Sequence, residues 1–404
     1  MNSLEIIDKK VFETFYNTVS HKSFMQSVEM ADLLKKRGYQ VTYLGLKDEE
    51  TLQVAAVLFS LPMTGGLHME INSGPLYQEE TLLEPFYVAL KDYAKKNGAI
   101  ELVIKPYDNY QTFDSDGNPI SEEQSHFLDT LKNLGYQHDG FQTGYPEGEP
   151  VWHYLKTIKG DDTKSLLKSF NKNCSRNITT ALNYGISIRN ITREEIPQFK
   201  QIIEETGKRQ GFEDKSLSYY YDLYDSFGPN AEFVVAEINS TAALAHLDQK
   251  ISLLNPSAKQ YEQQLQKLEK QKNIVQGTLA GKESENVPLA CALIIYTPSE
   301  VTYLFGGSYT KYQKFSAAFL LQYHAMKRSL QKGITLYNFL GIQGIFDGSD
   351  GVLRFKQNFN GTSFVRWEHS VITHIHSNTN LSIISKKFLD VIKNKSLEHM
   401  FQAF

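Results

Sequence analysis

The chain has 404 residues, 41% hydrophobic and 22% charged, with a formal net charge of -4. That length predicts two domains with real cores, and the charge argues against a general polyanion binder while allowing local basic patches. With Cys174 and Cys291 as its two cysteines, no signal-peptide core and no window near about 18 uninterrupted apolar residues, the chain reads as cytosolic, without a disulfide framework or membrane span.

Residues 27–39 carry apolar side chains at helical spacing up to Gly38 and predict a helix. Residues 40–46 and 52–62 predict a strand hairpin, 81–98 an amphipathic helix closed by Gly98, and 99–107 a strand. The order then repeats: 231–238 and 288–298 match the hairpin, 301–309 match 66–77, and 316–342 match 81–107. Two copies of one mixed α/β unit follow, with a cleft between or across them. The expected division is 1–150 for the first unit and 151–239 with 285–404 for the second, the C-terminal tail being free to pack on the first.

An insertion, 240–284, parts the second hairpin. Leu244, Leu247, Ile251 and Leu254 form one apolar series, and Ala258, Tyr261, Leu265, Leu268, Val275 and Leu279 another, broken at Lys272. This predicts an antiparallel coiled-coil hairpin turning at Asn255-Pro256-Ser257, with Pro256 where the second helix restarts. An arm rising from a hairpin loop should bury little against its own domain. That favours a lever touching a large partner over a stabilising arm.

The stretch 344–361, GIFDGSDGVLRFKQNFNG, is the first choice for chemistry. Read as a strand, it alternates Val352, Arg354 and Lys356 against Leu353, Phe355 and Gln357, so Arg354 and Lys356 share a face. Two cations there could hold a phosphate or a developing oxyanion; the bland alternative is a solvated edge strand. The loop before it predicts a mobile substrate lid, since Asp347 and Asp350 do not fit the alternating calcium-loop pattern. No nucleophile constellation appears: Cys174 lies in a polar helix and Cys291 in an apolar strand. His374 and His376 share a strand face without a third ligand, so no metal is expected. Without a Walker or dinucleotide motif, the chemistry is expected to need no cofactor and to draw on an already activated donor.

Basic character is local. The segment 156–189 carries Lys156, Lys159, Lys164, Lys168, Lys172, Arg176 and Arg189 against Asp161 and Asp162, and 164–185 predicts one helix with a basic face. Such a face tracks phosphates or is plain solvated surface. A second basic amphipathic stretch, 385–395, suits docking on the core or an anionic membrane.

The residues YNFLGIQGIFDGSDGVLRFKQNFNG (337–361) and NSGPLY (72–77), together with the inserted arm, resemble the FemABX peptidyltransferases, most closely MurN-like members that build interpeptide branches on peptidoglycan precursors. The resemblance covers nearly the whole chain. It implies tandem GNAT-like acyltransferase domains, no cofactor, an aminoacyl-tRNA donor, and an amine of lipid II or branched lipid II as acceptor, with peripheral contact at the inner membrane face. It implies Phe355 and Lys356 at the aminoacyl-tRNA end of the site; Arg354 is added from the shared face, and Lys168, Lys172 and Arg176 of the basic segment are the expected tRNA contacts. The family's muropeptide-binding Arg falls on Lys215, its first-domain Lys nearest Lys35 and Lys36, and a family Tyr in the region of Tyr303 and Phe305, with Phe305 the better match. Lys105 precedes Pro106 where many members have Asp, so no carboxylate base is assigned. Two rivals remain. A CoA-dependent GNAT N-acyltransferase is weakened because NSGPLY and FGGSY lack a glycine-rich pyrophosphate loop. A non-catalytic tRNA-binding scaffold would use the arm and the basic helix.

Overall fold

The computed structural model describes residues 3–138, 140–145, 150–160, 162–282, 285–366 and 371–374. Two mixed sheets organise them. The first runs β1 (Ser3–Ile6), β2 (Gln40–Asp48), β3 (Thr51–Met63), β4 (Gly66–Asn72), β6 (Ala99–Lys105), β16 (Val371–His374), β8 (Gln137–His138), with β5 (Leu76–Tyr77) beside β3. The second runs β10 (Ser187–Asn190), β11 (Ala231–Asn239), β12 (Asn286–Tyr296), β13 (Val301–Ser308), β14 (Leu336–Ile342), β9 (Trp152–Thr157), β15 (Thr362–Arg366), β7 (Asn109–Phe113).

The repeat is present at the level of topology. In β1-β2-β3-β4-β6 and in β10-β11-β12-β13-β14 the first three steps are antiparallel and the last is parallel. Both predicted hairpins form. Beyond that shared core the units exchange strands: β7 joins the second sheet through β15, and β16 joins the first through β6. Sheet membership therefore crosses the division at residue 150.

Helices α1 (Lys9–Thr18), α2 (Val28–Lys36), α3 (Leu83–Lys96) and α4 (Ser125–Asn133) belong to the first unit. To the second belong α5 (Thr163–Lys168), α6 (Lys172–Asn183), α7 (Ile196–Gln210), α8 (Leu217–Phe227), α11 (Ala317–Gln331) and α12 (Gly351–Gln357); α9 (Ser240–Ser252) and α10 (Tyr261–Thr278) form the arm. Ser27 caps α2 by accepting from the Met30 amide at 3.1 Å, and Lys35 and Lys36 close its last turn, where cations complement the helix dipole. Residues Val54 to Phe59 of β3 are all buried: Ala55 and Val57 face the α1 side, while Val54, Ala56 and Leu58 face α3. Cover on both faces is why that strand reads as an unbroken apolar run. Met30, Leu33, Leu34 and Phe59 share one core with Phe199, Tyr220, Leu223 and Phe233, so the contact between units is itself a hydrophobic core.

Several expectations need correction. The segment 164–185 is two helices, because Asn171 interrupts it and caps α6 by accepting from the Cys174 amide at 2.8 Å. Of its expected basic face, Lys156 is instead buried in β9, and Arg189 pairs with Glu195 at 2.7 Å and Glu237 at 3.1 Å. The arm is not self-contained either. Leu247, Leu268, Val275 and Leu279 are buried in the same cluster as Ile178, Ala181 and Tyr184, and Gln271 Nε2 donates to the Thr180 carbonyl at 3.3 Å. Gln271 takes the seam position expected at 272, while Lys272 reaches Asp248 across the hairpin at 2.6 Å. Only the outer half, beyond Leu247 and Leu268, projects. Pro256 lies in a turn, with the Ala258 amide donating to the Asn255 carbonyl at 3.0 Å, and the second helix restarts at Tyr261. The stretch 385–395 and His376 lie outside the described residues.

Candidate active site

The two parallel strand pairs differ. In the first unit, β4 and β6 pair from Leu67 opposite Ala99 to Asn72 opposite Lys105. Their inner face carries buried charges: His68 Nδ1 lies 2.6 Å from Glu101 and its Nε2 3.3 Å from Glu70, while Lys105 Nζ lies 2.9 Å from Glu70. Burial alone would lower the His68 pKa, but the bonds to Glu101 and Glu70 overcome it and raise it to about 9. Burial would raise Glu70, yet the Lys105 charge and His68 hold it down at about 2. These groups bolt the two strands together.

In the second unit, β13 and β14 pair only through Val301 opposite Tyr337 and Thr302 opposite Asn338, and then part. A bulge at Leu304 puts Tyr303 opposite Ile294 and Phe305 opposite Leu293, so the two aromatics stand on opposite faces. Tyr303 packs on the α11 side, where burial raises its pKa, and Phe305 lies edge-on to Tyr219 and Tyr220 of α8. On the other strand Leu340 takes a left-handed φ of 57°, unusual for a branched residue and a mark of a specially held position.

Lys356 stands at this kink. Residues 351–357 form the short helix α12, not a strand: Asp350 caps it by accepting from the Val352 amide at 2.8 Å and the Leu353 amide at 3.1 Å. Residues two apart on a helix point to nearly opposite sides, so Arg354 is exposed while Lys356 is buried. The shared cationic face expected for Arg354 and Lys356 is therefore absent. Lys356 Nζ donates to the Leu340 carbonyl at 3.1 Å and the Gly341 carbonyl at 2.5 Å. Burial pushes its pKa down to about 7, against the pull of Asp350. An ammonium has three donors, and these two carbonyls take two of them. Phe355 packs edge-on to Phe319 at 5.0 Å and Phe359 at 5.5 Å, fixing the helix that carries Lys356.

The loop preceding α12 is not a free lid. The Phe346 ring lies against Gly117, where φ is 90° and an added Cβ would come within 2.4 Å of that ring, and it packs edge-on to Trp152. Gln357 Nε2 donates to the Ser115 carbonyl at 2.6 Å. The turn after the exchanged β7 thus holds both the loop before α12 and its last residue, Gln357.

The structure brings some expected residues together. The Asn171 amide donates to the Asn358 carbonyl at 3.1 Å, and Asn173 Nδ2 donates to Asn358 Oδ1 at 2.8 Å. The exposed Lys172 therefore sits beside the end of α12, with Arg176 one turn on and Lys168 on α5. Lys35 and Lys36 lie elsewhere, exposed at the end of α2, with Lys35 Nζ 5.1 Å from the Tyr43 ring. Lys215 is in the α7–α8 connection, its carbonyl accepting from Lys200 Nζ at 2.9 Å. Cys174 and Cys291 are buried, and burial pushes the Cys174 thiol up to about 12, which makes neither a nucleophile. No cluster of His, Cys, Asp and Glu able to hold a metal occurs among the described residues. Sequence reasoning missed the His68–Glu70–Glu101–Lys105 network, although His68 and Glu70 alternate with apolar Met69 and Ile71 in plain view.

The FemAB family model matches residues 7–366. Aminoacyltransferase FemB of Staphylococcus epidermidis is 30% identical over 378 residues, covering 87% of this chain and 90% of that one. Aminoacyltransferase FemA of Staphylococcus aureus is 26% identical over 379 residues, covering 87% and 90%. Among solved structures, FemX superposes with a TM-score of 0.75 at 20% identity, covering 92% of this chain and 98% of that one. A tandem GNAT protein from the clavulanic acid biosynthesis pathway superposes at 0.51 with 8% identity, covering 94% and 100%. These two likenesses concern the fold, and the two units are GNAT-like domains in tandem. Sequence and fold agree over most of the chain: it belongs to the FemAB family.

Proposed function

We propose that the chain is an aminoacyltransferase that moves an amino acid from aminoacyl-tRNA to an amine of the peptidoglycan precursor lipid II, or of lipid II already bearing a branch residue. Alanine is the first candidate, with serine and glycine the others. The observation that carries this reading is the opening between β13 and β14 with Lys356 buried at its kink, set against the closed β4–β6 pair. An ester carbonyl lying in that opening would meet the remaining Lys356 N–H. The acceptor amine attacks that carbonyl, a C–N bond forms, the C–O bond to the tRNA ribose breaks, and the ribose hydroxyl leaves with the proton. Most of the acceleration comes from orientation and from a donor already aimed where the oxyanion develops. Lys172, Lys168 and Arg176 beside α12 would receive tRNA phosphates.

No helix among the described residues is long and apolar enough to cross a membrane. The proposed site of action is the cytoplasm, with peripheral contact at the membrane that carries the acceptor. The test incubates the purified protein with lipid II and Ala-, Ser- or Gly-tRNA, and separately with acetyl-CoA, and reads the acceptor's mass. Amide-linked addition of one amino acid is the expected result. Acetylation alone would replace the reading with CoA-dependent chemistry, and tRNA binding without transfer would replace it with a scaffold role.

A further inference from the structure

The opening in the second unit starts at a fork held by one carboxylate. Thr302 and Asn338 are the last residues paired between β13 and β14. Both side chains turn to Glu300: Thr302 Oγ1 donates to Oε1 at 3.0 Å and Asn338 Nδ2 at 3.3 Å. Tyr107, just past β6 in the first unit, donates its hydroxyl to the same carboxylate, 2.8 Å from each oxygen. On its other side, Asn338 Oδ1 accepts from the Leu340 amide at 2.7 Å. The Leu340 carbonyl in turn accepts from Lys356 Nζ at 3.1 Å. An unbroken chain of hydrogen bonds thus runs from the first unit to Lys356. Its side chains are all buried, the most exposed being Tyr107 at 6%.

Each link constrains the next. A buried carboxylate is tolerated only where donors meet it, so Glu300 fixes the positions of Thr302, Asn338 and Tyr107 together. With its NH2 group committed to Glu300, the Asn338 amide must present its oxygen to Leu340. That contact helps hold Leu340 in its left-handed conformation and so aims the carbonyl that locates Lys356. A shift of about 1 Å at a reacting centre can cost on the order of 100-fold in rate.

We propose that Glu300 is a positioning residue for transfer. It sets the fork and, through Asn338 and Leu340, the Lys356 ammonium, while Tyr107 makes that setting depend on how the first unit is seated. This inference rests on the aminoacyl-transfer reading above.

The experiment compares Tyr107→Phe, which removes one hydroxyl, with Glu300→Gln, which keeps the shape and removes the charge. Tyr107→Phe is expected to lower kcat about tenfold and Glu300→Gln about 100-fold, with the KM for aminoacyl-tRNA held within about twofold. Because both act through one chain, the double variant should be no slower than Glu300→Gln alone. A merely structural role would reduce the folded fraction and leave kcat per folded molecule unaltered. Independently of turnover, amide exchange across 336–342 should quicken in Tyr107→Phe while exchange across 54–58 stays as in the wild type. Wild-type kcat together with wild-type exchange in Tyr107→Phe would overturn the proposal, as would additive losses in the double variant. If Glu300→Gln does not fold, Tyr107→Phe decides the matter alone. If the wild type transfers nothing from any aminoacyl-tRNA, the functional reading fails, and the exchange measurement still decides whether the clamp exists.

Discussion

Replacing Lys356 by Met should change how stability varies with pH more than it changes stability at pH 7. In the folded chain burial lowers the Lys356 pKa to about 7 from an ordinary 10.5. Carrying the buried ammonium therefore costs about 5 kcal/mol below pH 7. Between pH 7 and 10.5 the unfolded state binds the extra proton, so this group makes stability rise with pH by about 1.4 kcal/mol per unit. His68 does the opposite. Its folded pKa of about 9 lies above the ordinary 6.5, so its contribution of about 3 kcal/mol is full below 6.5 and is lost as pH rises towards 9. Between about pH 7 and 8 the two slopes cancel and the wild type should be nearly flat. Higher up, Lys156, which burial lowers to about 8, and Lys22, also lowered by burial, add to the rise. The Met variant keeps His68 and loses the compensation, so its stability should fall by about 1.4 kcal/mol across that unit. At pH 7 the lost desolvation cost offsets two carbonyls left without a donor, at about 1–3 kcal/mol each, so the variant should remain folded. Urea midpoints in half-unit pH steps measure this. Parallel profiles for the two proteins, or a variant already unfolded at pH 7, would refute the reasoning.

The same Lys356→Met variant should slow transfer by about 100-fold or more, measured as steady-state transfer to lipid II, and near-normal turnover would remove Lys356 from the chemistry. In the wild type, if the ammonium is the working form, the rate should fall as pH rises through about 7; a rate that climbs there would mean the neutral amine works instead. Changing Lys168, Lys172 and Arg176 together to Gln should flatten the dependence of log tRNA affinity on log salt by roughly two units, and an unaltered slope would place the tRNA elsewhere. Replacing the arm's outer part, 250–266, by a short Gly-Ser turn should leave the thermal midpoint nearly unchanged and raise the KM for aminoacyl-tRNA. Deleting 241–283 should instead destabilise the protein, because Leu247, Leu268, Val275 and Leu279 are core residues worth about 1.5–3 kcal/mol each; an equally stable deletion would contradict that packing.

Long periodic stretches were legible. The two hairpins, the Gly-closed helices and their repeated order follow from apolar spacing and survive intact as β2–β3, β11–β12, α3 and α11. Residues 352–357 were not. Over so short a run V-L-R-F-K-Q fits period two as well as a helical turn, and length cannot arbitrate. Asp350 ahead of Gly351 was the usable signal, an acidic cap that accepts from two helix-start amides. The strand exchange had no local signature, since 109–113 finds its partner at 362–366 only through tertiary structure. Glu300 was equally invisible. It lies in a Thr-Pro-Ser-Glu turn, and its meaning comes from Tyr107 arriving from the other unit.

One duplicated unit has become two different devices, and the cause can be traced to side chains across a single strand pair. On β4 and β6, His68 bonds Glu101 and Lys105 bonds Glu70 across the gap. Parting those strands would strand four buried ionisable groups, a cost far above what a few ladder hydrogen bonds return. On β13 and β14 no such pair is found among the described bonds beyond Thr302 and Asn338. Instead the Leu304 bulge and the left-handed Leu340 turn the strands apart, and Lys356 satisfies carbonyls that the lost ladder leaves open. Under the proposed reading, an acyl chain enters the second unit and not the first. That asymmetry then assigns donor chemistry to the second unit and leaves the first to bind the acceptor. Tyr107 is then a short route by which the state of the first unit reaches the fork: it lies two residues beyond the last paired residue of the closed strand, Lys105, and hydrogen-bonds Glu300 directly.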